Sequence, residues 1–142
     1  MGRRRRLALV LGLLAGLFLL RVLGQWRVAN GAAGWLPPMD QWYSGLMPYP
    51  VLLPIQCAIL LWQGWVTADL WRGRGWFARR SRGWGVGLKW FSLVYFVVML
   101  LRYPVVMVLD PGRRWYDGLI PIVFHWVLAG YLYLWSRYLR EG

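Results

Sequence analysis

Residues 7–24 read LALVLGLLAGLFLLRVLG, an almost continuous apolar run with a single charged residue, Arg21. A helix of about 20 residues crosses the hydrocarbon core of a bilayer, so this run predicts a membrane-spanning helix. Three further stretches have a similar length and character, at about residues 47–70, 86–109 and 118–139. They lack the two-residue alternation of a transmembrane β-strand. The chain is therefore predicted to be an all-α integral membrane protein, a bundle of four transmembrane helices.

The composition agrees with this class. Of the 142 residues, 59% are hydrophobic and only 15% are charged, and 12 are tryptophans. A soluble domain of this length has too little interior to bury so much apolar surface. No Ser- and Pro-rich linker divides the chain, which predicts one membrane domain over residues 1–142.

Two parts of the chain repeat the same local pattern. Leu-Leu-Arg ends at Arg21 and again at Arg102, and each copy is followed by a Trp-Tyr-x-Gly-Leu-x-Pro motif, at residues 42–48 and 115–121. The matched positions of the motif include Trp42, Tyr43 and Gly45 in the first copy and Trp115, Tyr116 and Gly118 in the second. We expect two helical hairpins in parallel orientation, with repeat 1 at about residues 7–71 and repeat 2 at about 86–140.

The basic residues predict an orientation. Twelve of the 17 lie beside one set of segment ends, namely Arg3, Arg4, Arg5, Arg6, Arg72, Arg74, Arg79, Arg80, Arg82, Lys89, Arg137 and Arg140. Excess Lys and Arg stay on the cytoplasmic side of a membrane. We expect a multi-pass protein of the plasma or inner membrane with both termini in the cytoplasm. On this face Asp69 is predicted to form an ion pair with Arg72.

The first outer connection is long enough to hold structure of its own. Within it, Pro37-Pro38-Met39-Asp40 predicts a chain stop followed by a helix start, with Asp40 as the cap. The short helix would carry Trp42 and lie flat in the membrane interface.

The basic residues also allow two other interpretations. A net charge of +12, with arginines and tryptophans interleaved over residues 71–84, would suggest nucleic acid binding in a soluble chain. Membrane topology and contact with anionic lipids explain the same residues, so we expect no nucleic acid partner. The first segment also suits a signal peptide. The small residues at 29–33 lie too far beyond its apolar run for a normal cleavage site.

Polar side chains from all four segments fall at one depth. At 1.5 Å per residue, Arg21 lies about 21 Å from Leu7 and Arg102 about 21 Å from Leu88, and these two leucines are near the inner ends of their segments. Gln56 lies about 9 Å below Pro50 and His125 about 9 Å below Leu119, and Pro50 and Leu119 are near the outer ends of theirs. Gln25 follows Arg21 by one helical turn and shares its face. The sequence predicts an outer-leaflet polar layer of these five residues.

The sequence does not decide whether Arg21 and Arg102 are buried or exposed. Charged side chains inside a membrane usually face the bundle or a wet cavity, yet near its surface they also snorkel toward head groups. His125 is either a hydrogen-bonded packing residue or an acid or base. With one cysteine, Cys57, and one histidine, the chain offers no metal site, and no cofactor is identified.

These features favour a small, non-enzymatic binding or accessory protein. Guanidinium groups suit carboxylates and phosphates, so the ligand would be an anionic amphiphile or a lipid head group held by the polar layer. A subunit of an oligomeric transporter or channel is the first alternative, because of the duplication and the proline-broken helices. An intramembrane enzyme acting on a lipid through His125 is the second. No nucleophile or paired carboxylates accompany that histidine.

Gly12 and Gly16 have the spacing that lets two membrane helices approach closely. Gly12 lies nine residues before Arg21, on the opposite face of a helix. We therefore expect a contact of this face with a second copy or a partner membrane protein, besides the contact of the whole domain with membrane lipids.

The stretch from Trp42 to Pro48, followed by Pro50 and Pro54, resembles a loop of the tryptophan-rich sensory protein family. The resemblance is confined to residues 42–54 and implies porphyrin or sterol binding inside five helices. This chain has four predicted segments and carries the motif twice, so none of that family's binding residues is carried over.

Overall fold

The computed structural model describes residues 1–31, 34–42, 47–112 and 118–141. These residues form five helices, α1 (Arg3–Ala29), α2 (Met39–Trp42), α3 (Tyr49–Arg72), α4 (Arg82–Leu109) and α5 (Leu119–Arg140). All except α2 are long and apolar enough to span a membrane. The prediction of an all-α membrane protein with four transmembrane helices is confirmed.

Two of the helices, α1 and α4, extend beyond the apolar runs that predicted them. α1 begins at Arg3, four residues before the apolar run, because arginine favours the helix as much as most residues do. Its end lies at Asn30 and Gly31, where the backbone of Gly31 turns to a φ of +67°. Hydropathy marks only the part of a helix inside the hydrocarbon core, so it underestimates the length of these two helices.

The long helices lie side by side in the order α3, α1, α5, α4, and α2 rests on α1 and α5. A two-fold relation between the predicted hairpins would pair α3 with α4 as it pairs α1 with α5. In the described residues the backbones of α3 and α4 do not come into contact. Tyr43, Gly45, Trp115 and Tyr116 of the repeated motif lie outside the described residues. The duplication therefore stays a prediction.

The most tightly packed region lies at the basic end, by which we mean the end that carries Arg3–Arg6, residues 73–81 and the end of α5. Its buried core draws on α1, α3 and α5 and consists of Ala8, Leu11, Val66, Leu70, Tyr131, Trp135, Tyr138 and Leu139. Lipid chains are as apolar as these side chains, so close packing, rather than escape from water, holds the helices together.

Tyr131 joins α5 to α3 inside this core. Its hydroxyl donates a hydrogen bond of 2.7 Å to the backbone carbonyl of Gln63 and lies 3.0 Å from the hydroxyl of Thr67. The ring of Trp62 lies 5.9 Å from that of Tyr131. The side chain of Tyr131 thus connects α5 to α3, although the backbones of these two helices do not come into contact.

The connection between α3 and α4 folds back against the basic end. The carboxylate of Asp69 accepts a hydrogen bond of 3.1 Å from the backbone N–H of Phe77, instead of the predicted ion pair with Arg72. From α5, Trp135 and Tyr138 donate hydrogen bonds of 3.3 Å and 3.0 Å to the carbonyls of Phe77 and Ala78. Residues 73–81 are therefore held by hydrogen bonds to α3 and α5.

The two ends of the chain meet at the same place. A guanidinium nitrogen of Arg3 lies 2.7 Å from the carboxylate of Glu141, and Arg80 donates a hydrogen bond of 2.6 Å to the backbone carbonyl of Glu141. Because these contacts are exposed, each adds little to stability. They show that α1, the 73–81 connection and the end of α5 share one end of the bundle.

Candidate functional site

Arg21 is directed into the bundle. Its side chain is only 8% exposed, and one guanidinium nitrogen donates a hydrogen bond of 3.3 Å to the backbone carbonyl of Trp42. The guanidinium carbon also lies 5.9 Å from the ring of Phe18 and 5.7 Å from that of Phe124, distances typical of cation–π contacts. A snorkelling arginine would instead extend along the lipid-facing surface.

Two buried glutamines continue the layer beside Arg21. The side chain of Gln56 donates a hydrogen bond of 3.0 Å to the amide oxygen of Gln25, and Gln25 donates one of 3.5 Å to the carbonyl of Trp42. Gln25 is fully buried and Gln56 is 2% exposed. The carbonyl of Trp42 is thus the point where α1 meets α2, and Gln56 of α3 is connected to it through Gln25.

The short helix α2 covers the layer. The predicted helix exists, but Asp40 lies within its first turn rather than before it, and Trp42 is buried. Its indole N–H donates a hydrogen bond of 2.9 Å to the carbonyl of Pro37. A Cβ atom at Gly24 would lie 2.6 Å from the ring of Trp42, so glycine at this position lets α2 approach α1.

Tyr95 and His125 form the other side of the layer. The tyrosine hydroxyl and the histidine Nδ1 share a hydrogen bond, and the two rings meet edge to face with centroids 5.6 Å apart. Arg21 and the half-buried Arg102 both lie close enough for their charges to act on this pair. α4 and α5 are linked to α1 at this depth.

The structure thus brings Arg21, Gln25 and Gln56 together beside His125, and Arg102 lies within electrostatic reach of the Tyr95–His125 pair. The sequence did not predict the contacts that these residues make. Tyr95 precedes Arg102 by seven residues, a spacing that places both on one helical face. Phe124 and the carbonyl of Trp42 gave no signal in the sequence. The binding of a ligand by these residues stays a prediction.

Several polar atoms of this region lack partners in the part of the chain that the structure describes. They are Nε of Arg21, Oε1 of Gln56 and both side-chain amide atoms of Gln63, which lies seven residues further along α3 and is fully buried. Within the described ranges no carboxylate forms an ion pair with Arg21. A buried charge is stabilised only by compensating polar groups, so this arrangement suits an anionic group.

The helix face expected to meet another chain is partly used within this one. A Cβ atom at Gly12 would lie 3.5 Å from the methyl group of Thr67, so Gly12 packs against α3. Gly16 has nothing within 4 Å of such an atom. Contact with a partner through this face stays a prediction. Elsewhere in the described residues, no three His, Cys, Asp or Glu side chains gather as a metal site requires.

Comparison with known proteins finds no matching family model, no matching curated protein and no matching solved structure. The fold and the site define a class, a polytopic α-helical membrane protein with a buried layer of basic and amide side chains.

Proposed function

We propose that this protein is a small, non-enzymatic membrane protein that binds an anionic amphiphile in its polar layer. The observation that carries the proposal is the environment of Arg21. Its guanidinium is buried between two aromatic rings and donates to one backbone carbonyl, and no described carboxylate neutralises it.

The chemistry of the layer supports an anionic head group with an apolar tail. Guanidinium binds carboxylate and phosphate oxygens through parallel hydrogen bonds. The unpartnered Oε1 of Gln56 accepts a hydrogen bond from a ligand hydroxyl, and Nε of Arg21 has a proton to donate. Phe18 and Phe124 give the same site an apolar surface for the tail.

The distribution of charge supports an outer-leaflet position. The twelve basic residues at the basic end favour a cytoplasmic location for that end and for both termini, in a plasma or inner membrane. Arg21 lies about 27 Å along α1 from Arg3, at 1.5 Å per residue, and so belongs to the far half of the bilayer.

Native mass spectrometry of the protein purified in mild detergent tests the proposal directly. We expect an anionic adduct that survives purification. After delipidation, the protein should bind added phosphatidylglycerol in preference to phosphatidylcholine, because only the former carries a net negative charge. A protein without adduct that takes up both lipids equally would contradict the proposal.

A transporter or channel subunit is a second candidate, favoured by the polar groups that continue from the layer toward the basic end. Gln56, Gln63 and Thr67 follow one another on α3, and Thr67 meets Tyr131. If this row conducts, proteoliposomes should show proton or anion flux that Gln63→Leu abolishes. Absence of flux in the unaltered protein would leave binding as the function.

A further inference from the structure

A pocket lies at the basic end, on the side of the bundle where α3 and α4 separate. Its volume is about 410 Å³, within the range of small-molecule sites. Most of its surface comes from large apolar side chains, among them Trp62, Trp76, Phe77, Trp84, Leu88 and Trp135. It is at the opposite end of the bundle from Arg21.

The floor of this pocket is rigid. The rings of Trp62 and Phe77 both meet that of Trp135 edge to face, with centroids 5.4 Å and 5.7 Å away. The backbone N–H of Phe77 donates a hydrogen bond to the carboxylate of Asp69, and its carbonyl accepts one from the indole of Trp135. The pocket is therefore preformed, which lowers the entropic cost of filling it.

The walls of the pocket leave it open to the bilayer. Trp76 and Trp84 stand at its rim and are 73% and 76% exposed. Above them the described parts of α3 and α4 have no backbone contact that would close the gap. Tryptophan is enriched at the level of lipid head groups, where its ring is apolar and its N–H faces polar groups. A lipid chain can enter sideways between the two helices.

The mouth of the pocket is positively charged. Arg79 lines it, and no acidic residue is among the residues that line it. Ser81, which also lines it, precedes α4, and its side chain makes no hydrogen bond to the free N–H groups of the helix start. Free N–H groups at the start of a helix favour the binding of an anion.

We infer that this pocket binds an anionic phospholipid of the leaflet at the basic end, with one acyl chain on the aromatic floor and the phosphate at Arg79. An apolar cleft with a cation at its mouth complements a lipid that has an apolar chain and a charged head. Contact of Arg79 with the head group would make the pocket prefer this anionic lipid to a zwitterionic one.

Quenching of tryptophan fluorescence by bromine on the lipid chain tests this inference. The full-length protein is placed in phosphatidylcholine vesicles that contain a minor share of brominated phosphatidylglycerol or, in parallel, brominated phosphatidylcholine. We expect stronger quenching by the phosphatidylglycerol. Arg79→Gln should lower that preference about fivefold, the usual effect of one basic residue at a membrane surface.

Two further variants make the outcome specific. Arg6→Gln removes the same charge from the same end but on a different surface, beside Arg3 and Arg137, and should keep the preference. Leu88→Phe fills part of the pocket without adding a tryptophan and should reduce quenching by both lipids. Equal quenching by both lipids in the unaltered protein, or a preference lost in Arg6→Gln and kept in Arg79→Gln, would overturn the inference. In an Arg21→Gln background, Arg79→Gln should cause the same loss of preference as in the unaltered protein, which separates this pocket from the outer-leaflet site.

Discussion

Arg21→Gln is expected to release the anionic amphiphile from the polar layer. Hydrogen bonds to charged groups contribute about 1.5–3 kcal/mol, and the substitution removes the charge while it keeps a polar side chain. The affinity for phosphatidylglycerol should therefore fall about 10- to 150-fold. A titration of the delipidated protein, followed by native mass spectrometry, measures this change.

Arg27→Gln is the matched control, because Arg27 belongs to the same helix and is exposed beyond the layer. It should bind phosphatidylglycerol as the unaltered protein does. Arg21→Gln should also stay folded, since replacing a buried charge by a neutral group is often neutral or stabilising. Unchanged affinity in a folded Arg21→Gln protein would show that the buried guanidinium has a structural role only.

Gly85→Leu is expected to force α4 away from α5 at the basic end. A Cβ atom at this position would lie 2.6 Å from the side chain of Arg140, 3.0 Å from the backbone oxygen of Ser136 and 3.1 Å from the backbone nitrogen of Arg140. The side chain of Arg140 can move, but the two backbone atoms move only with α5. Overpacking of this kind costs about 1–3 kcal/mol, and the rest of the leucine side chain adds to it.

Gly87→Leu provides the comparison, because a Cβ atom at Gly87 would have nothing within 4 Å. Both variants remove a glycine from the same turn of α4 and gain the same side chain. Unfolding in mixed micelles of increasing dodecyl sulfate content should show a lower midpoint for Gly85→Leu alone. Equal midpoints would mean that α4 and α5 are not packed at Gly85 as described.

The sequence was sufficient for the number and order of the transmembrane helices, because lipid imposes a length and a composition on every span. It placed α1 at residues 7–24 and α4 at 86–109, whereas the helices run over Arg3–Ala29 and Arg82–Leu109. The missing turns lie where polar residues are helical outside the hydrocarbon core. Hydropathy carries no signal for them.

The common level of Arg21, Gln56 and His125 along the helices was also predictable, since helical rise converts position in the sequence into distance along a helix. Their partners were not. The carbonyl of Trp42 becomes an acceptor only because α2 folds over α1 at Gly24, a contact between distant parts of the chain. The separation of α3 from α4 likewise depends on how whole helices pack. A two-fold relation between the repeats predicts instead that these two helices are in contact.

The position of α5 has a consequence for biogenesis. This helix packs against α1, α2 and α4, yet it follows all of them in the chain. During synthesis Arg21 therefore enters the membrane before Phe124 and the rest of α5 exist to enclose it. Until α5 is inserted, the translocation machinery or a lipid head group must shelter that charge, and final assembly of the bundle waits for α5.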